Sequence, residues 1–412
     1  MILLSMVNAF SKTVIQQHVN KTCLNNCLFF CCIFLICLLL LFSCNNGSDT
    51  IKIINQSDAA VANRFTLKET GEKAFPLDSV TAYYTNCLGV VRHHNRRIFY
   101  LLNDINNAVY RYSYDSGKLI DIVSLDSIVA LYGKVSGVLP DSDSLILVHA
   151  KSKRISITDW RGHLLQSWRI TFNRFSCDNF TGSTINPLIK KGNFVYLSSH
   201  YGPFGYEPQK EFVNYLILEI NLKSKKQVGY FKYPDIYKQG LWGGYMTTNY
   251  MTYNPETDRF VHSFPICHNV YVHHLSGQAA EYYAGSRYIS EITSIKKEKL
   301  FDRQERYKYY LTTPSYSSIY YDPYRKVYYR FALQAISKED VLKNDPGLSR
   351  IKHASIIILD REFNKIGETL LPRFSYTEYM VFITKEGVHI GKWSKSKNDE
   401  NHLYFGVFEL SK

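Results

Sequence analysis

The sequence predicts an all-β chain: a six-bladed β-propeller of four-stranded antiparallel blades, with the last blade closed by an N-terminal strand. Three observations predict it. Six two-strand hairpins of one plan recur between residues 89 and 393, each a strand, a tight polar turn and a strand. A second hairpin follows each of the first five, whereas the sixth is followed by one strand before the chain stops. A spare candidate strand lies near the start, where ring closure needs one. Composition agrees. Apolar residues at 45% and charged residues at 21% belong to a packed body, and 15% aromatics, mostly tyrosine and phenylalanine, favour strands.

The chain opens on a targeting segment. Residues 28–42, LFFCCIFLICLLLLF, are uncharged and apolar, and Lys12 and Lys21 precede them with no acidic residue. That is the layout of a secretory signal, and the run is shorter than the roughly 20 residues of a spanning helix. Leu41-Phe42-Ser43-Cys44 at its end resembles a bacterial lipobox. The resemblance implies that the Cys44 thiol is diacylated and that cleavage makes Cys44 the new N-terminus, held on a membrane by two or three acyl chains. The polar residues 45–50 fit a tether. The alternative reading of the same run is an uncleaved signal anchor. The expected organisation is therefore a signal over 1–43, a tether over 44–50 and a single propeller over 51–412.

Six of nine cysteines lie in the signal and lipobox, leaving Cys87, Cys177 and Cys267 in the body. Three thiols form at most one disulfide, so this is not a stapled scaffold, and without C-x-x-C in the body the zinc-ribbon and thioredoxin readings fail. Removing residues 1–43 lowers the net charge from +13 to +11. Outside the cytoplasm that charge suits anionic glycans, headgroups or acidic proteins more than nucleic acid. No long Lys/Arg block exists, so a generally basic solvated surface is the preferred reading.

The first hairpins span 89–103, 137–150, 187–200, 251–264, 319–333 and 381–393, and their turns carry Pro, Gly, Asn and Asp. The second hairpins span 108–125, 154–170, 215–233, 269–284 and 355–371, and the lone last strand is 402–410. Its missing partner is expected from residues 51–54 or 64–67, in one sheet with residues 403–407. The 369 residues from Cys44 onward give about 61 per blade, above the roughly 40–50 of compact blades, so the excess is loop. A sandwich or an open solenoid is the structural alternative, but neither accounts for a missing last strand and a spare first one.

The signal, the lipobox, the six units and the phrase YDPYRKVYYRF over 321–331 resemble a family of six-bladed, TolB-like propeller lipoproteins of Bacteroidota that carries a domain-of-unknown-function label. The resemblance implies fold and location. It transfers no catalytic residue.

Extra length falls in 171–186, 201–214, 234–250, 285–318, 334–354 and 394–401. All are connections that open on one face of a propeller, and long loops gathered on one face mark a binding face. Tyr206, Trp242, Tyr245, Arg303 and Arg306 from three of these loops are the expected ligand contacts. Trp242, before two glycines, reads as an exposed platform, and 295–311 is the one stretch of helical composition. Aromatics with arginine suit sugars, anionic glycans or an extended peptide. The alternative is that the aromatics only pack the loops down.

No motif brings chemistry with it. G-x-S-x-G, H-E-x-x-H and Gly-rich phosphate loops are missing. The pairs His93-His94 and His273-His274, and His268 beside Cys267, read as structural or exposed, since a metal needs three or four convergent ligands. Residues 113–117, SYDSG, resemble the start of an Asp-box but read as a hairpin turn. A glycosidase would need two carboxylates from among such residues as Asp104, Glu207, Glu211, Asp235, Asp302 and Glu305, and the sequence does not choose a pair. Arg330, inside a strand, reads as a buried inter-blade ion pair. The expectation is a lipid-anchored binding or scaffold propeller at the outer membrane of the cell envelope, without catalytic residue, metal or cofactor, whose partners are the membrane and a glycan, peptide or envelope protein. The rival is a propeller glycan hydrolase or lyase.

Overall fold

The computed structural model describes residues 50–56, 63–172, 180–199, 214–275, 277–342 and 351–412. Six antiparallel sheets stand in a ring. Blade 1 is Leu88–His93, Arg96–Asn103, Ala108–Ser113 and Leu119–Ser124. Blade 2 is Gly137–Pro140, Ser144–His149, Arg154–Asp159 and Leu164–Arg169. Blade 3 is Ile189–Lys191, Phe194–Ser199, Ile217–Asn221 and Gln227–Tyr230, with the short strand Phe180–Thr181 also paired to its second strand. Blade 4 is Tyr250–Asn254, Arg259–Ser263, Asn269–His273 and Ala280–Tyr283. Blade 5 is Ser315–Asp322, Val327–Leu333, Ala354–Leu359 and Lys365–Leu370. Blade 6 is Thr377–Thr384, Gly387–Gly391 and His402–Ser411, and the N-terminal Thr66–Pro76 is its outer strand.

The first strands of blades 4, 5, 6 and 1 lie against one another in succession, as strands around one axis must. Burial falls from the axis outward. Val327–Leu333 is buried throughout, whereas the outer strand of blade 1 exposes Leu119, Ile120 and Ile122. The inner hairpin turn of blade 1 places His94 and Asn95 between the paired His93 and Arg96, both at positive φ. That is the two-residue turn whose twist matches the strands. Blades 2 and 3 approach so closely that a Cβ on Gly137 would sit 2.4 Å from Gly182.

One of the two expected closing segments is corrected. Lys52–Ile54 pairs with Glu291–Thr293 in the connection between blades 4 and 5 and does not touch the last blade's sheet. Closure comes from residue 66 onward, and the strand is longer than expected because it matches the length of its partner. Phe75 on this strand stacks on Phe99 of blade 1, ring centroids 3.9 Å apart, so closure also joins the last blade to the first.

The connections between blades, and between the second and third strands of a blade, carry the helices Asp126–Tyr132, Arg303–Thr312, Lys338–Leu342 and Trp393–Asn398. The helix expected within 295–311 forms as Arg303–Thr312. It begins where it does because the Asp302 carboxylate accepts from the Gln304 and Glu305 N–H groups. Among the described residues no helix is long and apolar enough to cross a membrane.

Candidate functional site

The inserted connections gather over one end of the ring, but the residues that meet there differ from those expected. Tyr206 and Cys44 lie outside the described residues. Trp242 is no exposed platform. It is fully buried, with Tyr237, Met246 and Phe264, in the apolar cluster joining blades 4 and 5. The connection coils into the short turns Asp235–Gln239 and Gly244–Met246, which carry its apolar residues inward. Gly243, at φ +67°, supplies the left-handed reversal after the indole. Arg306 is buried as well, and its Nη1 donates to the Leu300 carbonyl at 2.7 Å. Arg303 is exposed on the same helix. Of the five, Tyr245 borders a recess.

That recess measures about 460 Å³. Tyr245, Thr248 and Tyr250 reach it from the entry to blade 4, and Tyr307 and Tyr310 from the helix Arg303–Thr312. Leu333, Ile351 and Lys352 come from blade 5 and its long connection. Thr377, Glu378 and Tyr379 open the first strand of blade 6, Trp393 follows its second strand, and Tyr84 precedes blade 1. Tyr245 stacks on Tyr310 at 5.4 Å, and Tyr84 meets Trp393 edge-on at 5.8 Å. Each segment crosses the rim once, so no local stretch of sequence contains the site.

One amine and one carboxyl lie in this aromatic wall. Lys352 Nζ donates to the Tyr310 carbonyl at 3.0 Å, the Thr313 carbonyl at 2.7 Å and Ser315 Oγ at 2.9 Å. All three of its N–H groups are thereby taken. Burial pulls its pKa down to about 7, against the opposing pull of Glu378. Burial pushes the Glu378 carboxyl up, and its own backbone N–H and Lys352 hold it back. The Glu378 backbone carbonyl accepts from Tyr320 Oη at 2.8 Å. Its carboxyl oxygens have no other hydrogen-bond donor among the described residues. The neighbouring Tyr310 phenol, then burial, keep Tyr379 far above the usual phenol range. Tyr379 is shared with a second recess of about 380 Å³, bordered by Asn86, Asp104, Lys134 and Lys151.

The carboxylates expected as glycosidase candidates are placed elsewhere. Asp302 caps its helix, Glu305 pairs with Lys299 at 2.6 Å, Asp235 with Lys238 at 2.5 Å and Asp104 with Lys134 at 3.1 Å. Glu207 and Glu211 lie outside the described residues. Residues 113–117 form a hairpin turn, with Gly117 at φ +71° and Asp115 paired to Arg97. Arg330 is corrected from an ion pair. Its guanidinium is fully buried and donates to Ser263 Oγ and to the carbonyls of Phe264, Cys267, His268 and Ala284 in and beside blade 4. Cys87 and Cys267 are buried free thiols pushed up to about 12 by burial, and Cys177 lies outside the described residues.

Among the described residues no three His, Cys, Asp or Glu side chains gather as a metal site. His268 Nδ1 contacts Tyr316 Oη at 2.7 Å and His389 Nε2 contacts Tyr114 Oη at 2.8 Å. Burial depresses both imidazoles to about 4. Both are thus neutral in the fold and protonate in the unfolded chain near pH 6.5. Their contribution is complete at neutral pH and is lost as the pH falls from 6.5 towards 4, by up to roughly 3 kcal/mol for each. The urea midpoint at pH 4.5 is therefore expected well below that at pH 7, and His389→Gln should flatten the difference.

A family model and one solved structure agree with this architecture. The model of a family described as "Domain of unknown function (DUF4221)" matches residues 64–370. A member of that family from Bacteroides vulgatus ATCC 8482 has a similar solved structure at 20% identity and a TM-score of 0.72, over 85% of this chain and 99% of that one. A candidate exported protein from Bacteroides fragilis NCTC 9343 is similar at 9% identity and a TM-score of 0.49, over 85% and 96%. Hydrazine synthase of Kuenenia stuttgartiensis is similar at 11% identity and a TM-score of 0.42, over 78% and 80%. No curated protein matches the chain.

Proposed function

The chain belongs to the DUF4221 family, and from that premise we propose that it is a binding or scaffold propeller of the cell envelope, with no chemistry of its own, lipid-anchored through Cys44. The observation that carries the binding reading is the tyrosine-walled recess, built from separate connections on one rigid ring. A glycan hydrolase would need a second carboxyl about 5–10 Å from the first. Glu378 is the one carboxyl among the described residues that line the recess. The anchor rests on Leu41-Phe42-Ser43-Cys44 at the end of the apolar run, and the expected location is the outer membrane.

Two experiments test the two halves. Metabolic labelling with a palmitate analogue is expected to mark the wild type and not Cys44→Ser, and equal labelling would sink the anchor. A glycan array followed by analysis of products is expected to find retention without release. Release of sugar would transfer the assignment to a hydrolase or lyase.

A further inference from the structure

We propose that the recess binds a neutral saccharide, with one sugar ring against the tyrosine wall and its hydroxyls bonded to Glu378. The inference rests on the binding reading above and names its ligand class.

The polar groups of the recess select the class. Glu378 is nine-tenths buried, borders the recess and has no donor at its carboxyl other than its own backbone N–H. A carboxyl that borders the recess in this condition is open to a donor from a ligand. A hydroxyl is such a donor without a charge, and a sugar carries several.

Charge weighs against an anionic ligand. An anionic ligand would face Glu378 and would find no free N–H on Lys352, whose three donors are committed to Tyr310, Thr313 and Ser315. A cationic ligand would meet the attraction of Glu378 and the repulsion of Lys352 together, so choline is the competing probe. A neutral polyol conflicts with neither. Its C–H faces match the phenol rings of Tyr245 and Tyr310, which offer apolar area with a polar tip. The volume of about 460 Å³ falls within the range of small-ligand sites. Tyr379 also borders the second recess, whose wall holds Asn86, Asp104, Lys134 and Lys151. A chain of more than one sugar can therefore extend past Tyr379 toward the second recess.

The test is calorimetric titration of the full chain, solubilised with its anchor, at neutral pH. The probes are methyl glucoside, methyl galactoside, cellobiose, maltose, choline and glucuronate. At least one neutral saccharide is expected to bind, the disaccharide more tightly than the monosaccharide. Glu378→Gln, close in shape to the residue it replaces, should weaken that binding by about tenfold, the worth of one buried hydrogen bond. Its melting temperature should stay near the wild type, and Lys223→Ala, on an exposed turn of blade 3, should change nothing. Failure of every saccharide to bind would overturn the proposal, as would undiminished binding by Glu378→Gln. Choline or glucuronate binding that depends on Glu378 would also overturn the sugar assignment while leaving the recess a binding site. Cleavage of the bound disaccharide would instead overturn the non-catalytic reading and leave the ligand class standing.

Discussion

Arg330→Met is expected to cost about 3–5 kcal/mol of stability, the range for uncovering a buried charged network. Among the described residues the guanidinium has no carboxylate partner. Its Nη1 reaches the His268 and Ala284 carbonyls at 3.0 Å each, Nη2 reaches Cys267 at 2.6 Å and Phe264 at 3.4 Å, and Nε reaches Ser263 Oγ at 2.9 Å. The Tyr316 ring lies beneath it, its centroid 3.8 Å from Cζ. Burial lowers its pKa only to about 10, so it stays charged at neutral pH. Replacing a buried ion pair with apolar residues is often harmless because both partners can go. Here the partners are backbone carbonyls, which no substitution removes, and each orphaned acceptor costs about 1–3 kcal/mol. Methionine fills the space and satisfies none of them. Arg330→Lys keeps the charge but offers three donors from one point, so an intermediate loss is expected. Urea unfolding of the three proteins measures the order. A loss under about 1 kcal/mol for methionine would mean that residues 264–268 hold their own conformation.

The same residue shows what the sequence does and does not encode. An arginine among strand residues signals burial and the need for a partner, and both are found. Its partners are carbonyls, which every residue possesses, so residue types do not point to them. Lys352 is satisfied in the same way, by two carbonyls and a serine hydroxyl. Strand order was legible because hairpins are local: alternation and turn residues fix each pair within about 15 residues. The recess was not, because it assembles from segments as far apart as Tyr84 and Trp393. Glu378 left a trace that could have been read, an acid at the start of an inner strand leading to Met380 and Val381, both buried. Trp242 misled because two glycines after an indole suggest an exposed loop. In the fold those glycines let the chain turn sharply enough to bury it.

Deleting residues 63–76 is expected to leave an insoluble chain, whereas deleting 51–56 should leave a soluble one of lower melting temperature. The first segment pairs along the whole of His402–Ser411, from Thr66 with Ser411 to Pro76 with His402. At its start, the N–H groups of Arg64 and Phe65 donate to the Ile366 carbonyl of blade 5, and Gly367 has no Cβ because the Phe65 carbonyl occupies its place. The segment therefore ties blade 5 to blade 6 and, through Phe75, blade 6 to blade 1. It is also a well-protected edge. Lys68, Glu69, Glu72 and Lys73 are charged, the pairing register shifts between Glu69 and Gly71, and Pro76 ends the strand. Charge, bulge and proline are the devices that keep an edge from recruiting another chain. Without it the new edge is HLYFGVFELS, ten residues with one acid and no proline, a template for strand addition. The second segment contributes three paired residues, Ile51 and Ile53 packed on the cluster of blades 4 and 5, and hydrogen bonds that among the described residues all go to residues 268–294, including Asn55 Nδ2 to the Ser286 and Ile289 carbonyls at 2.8 and 2.7 Å. Its loss frays one connection and opens no blade. Centrifugation of lysates, then size exclusion and thermal melts of what remains soluble, separates the two. A soluble monomer with a sharp melt after loss of 63–76 would show that the ring does not depend on the N-terminal strand for closure.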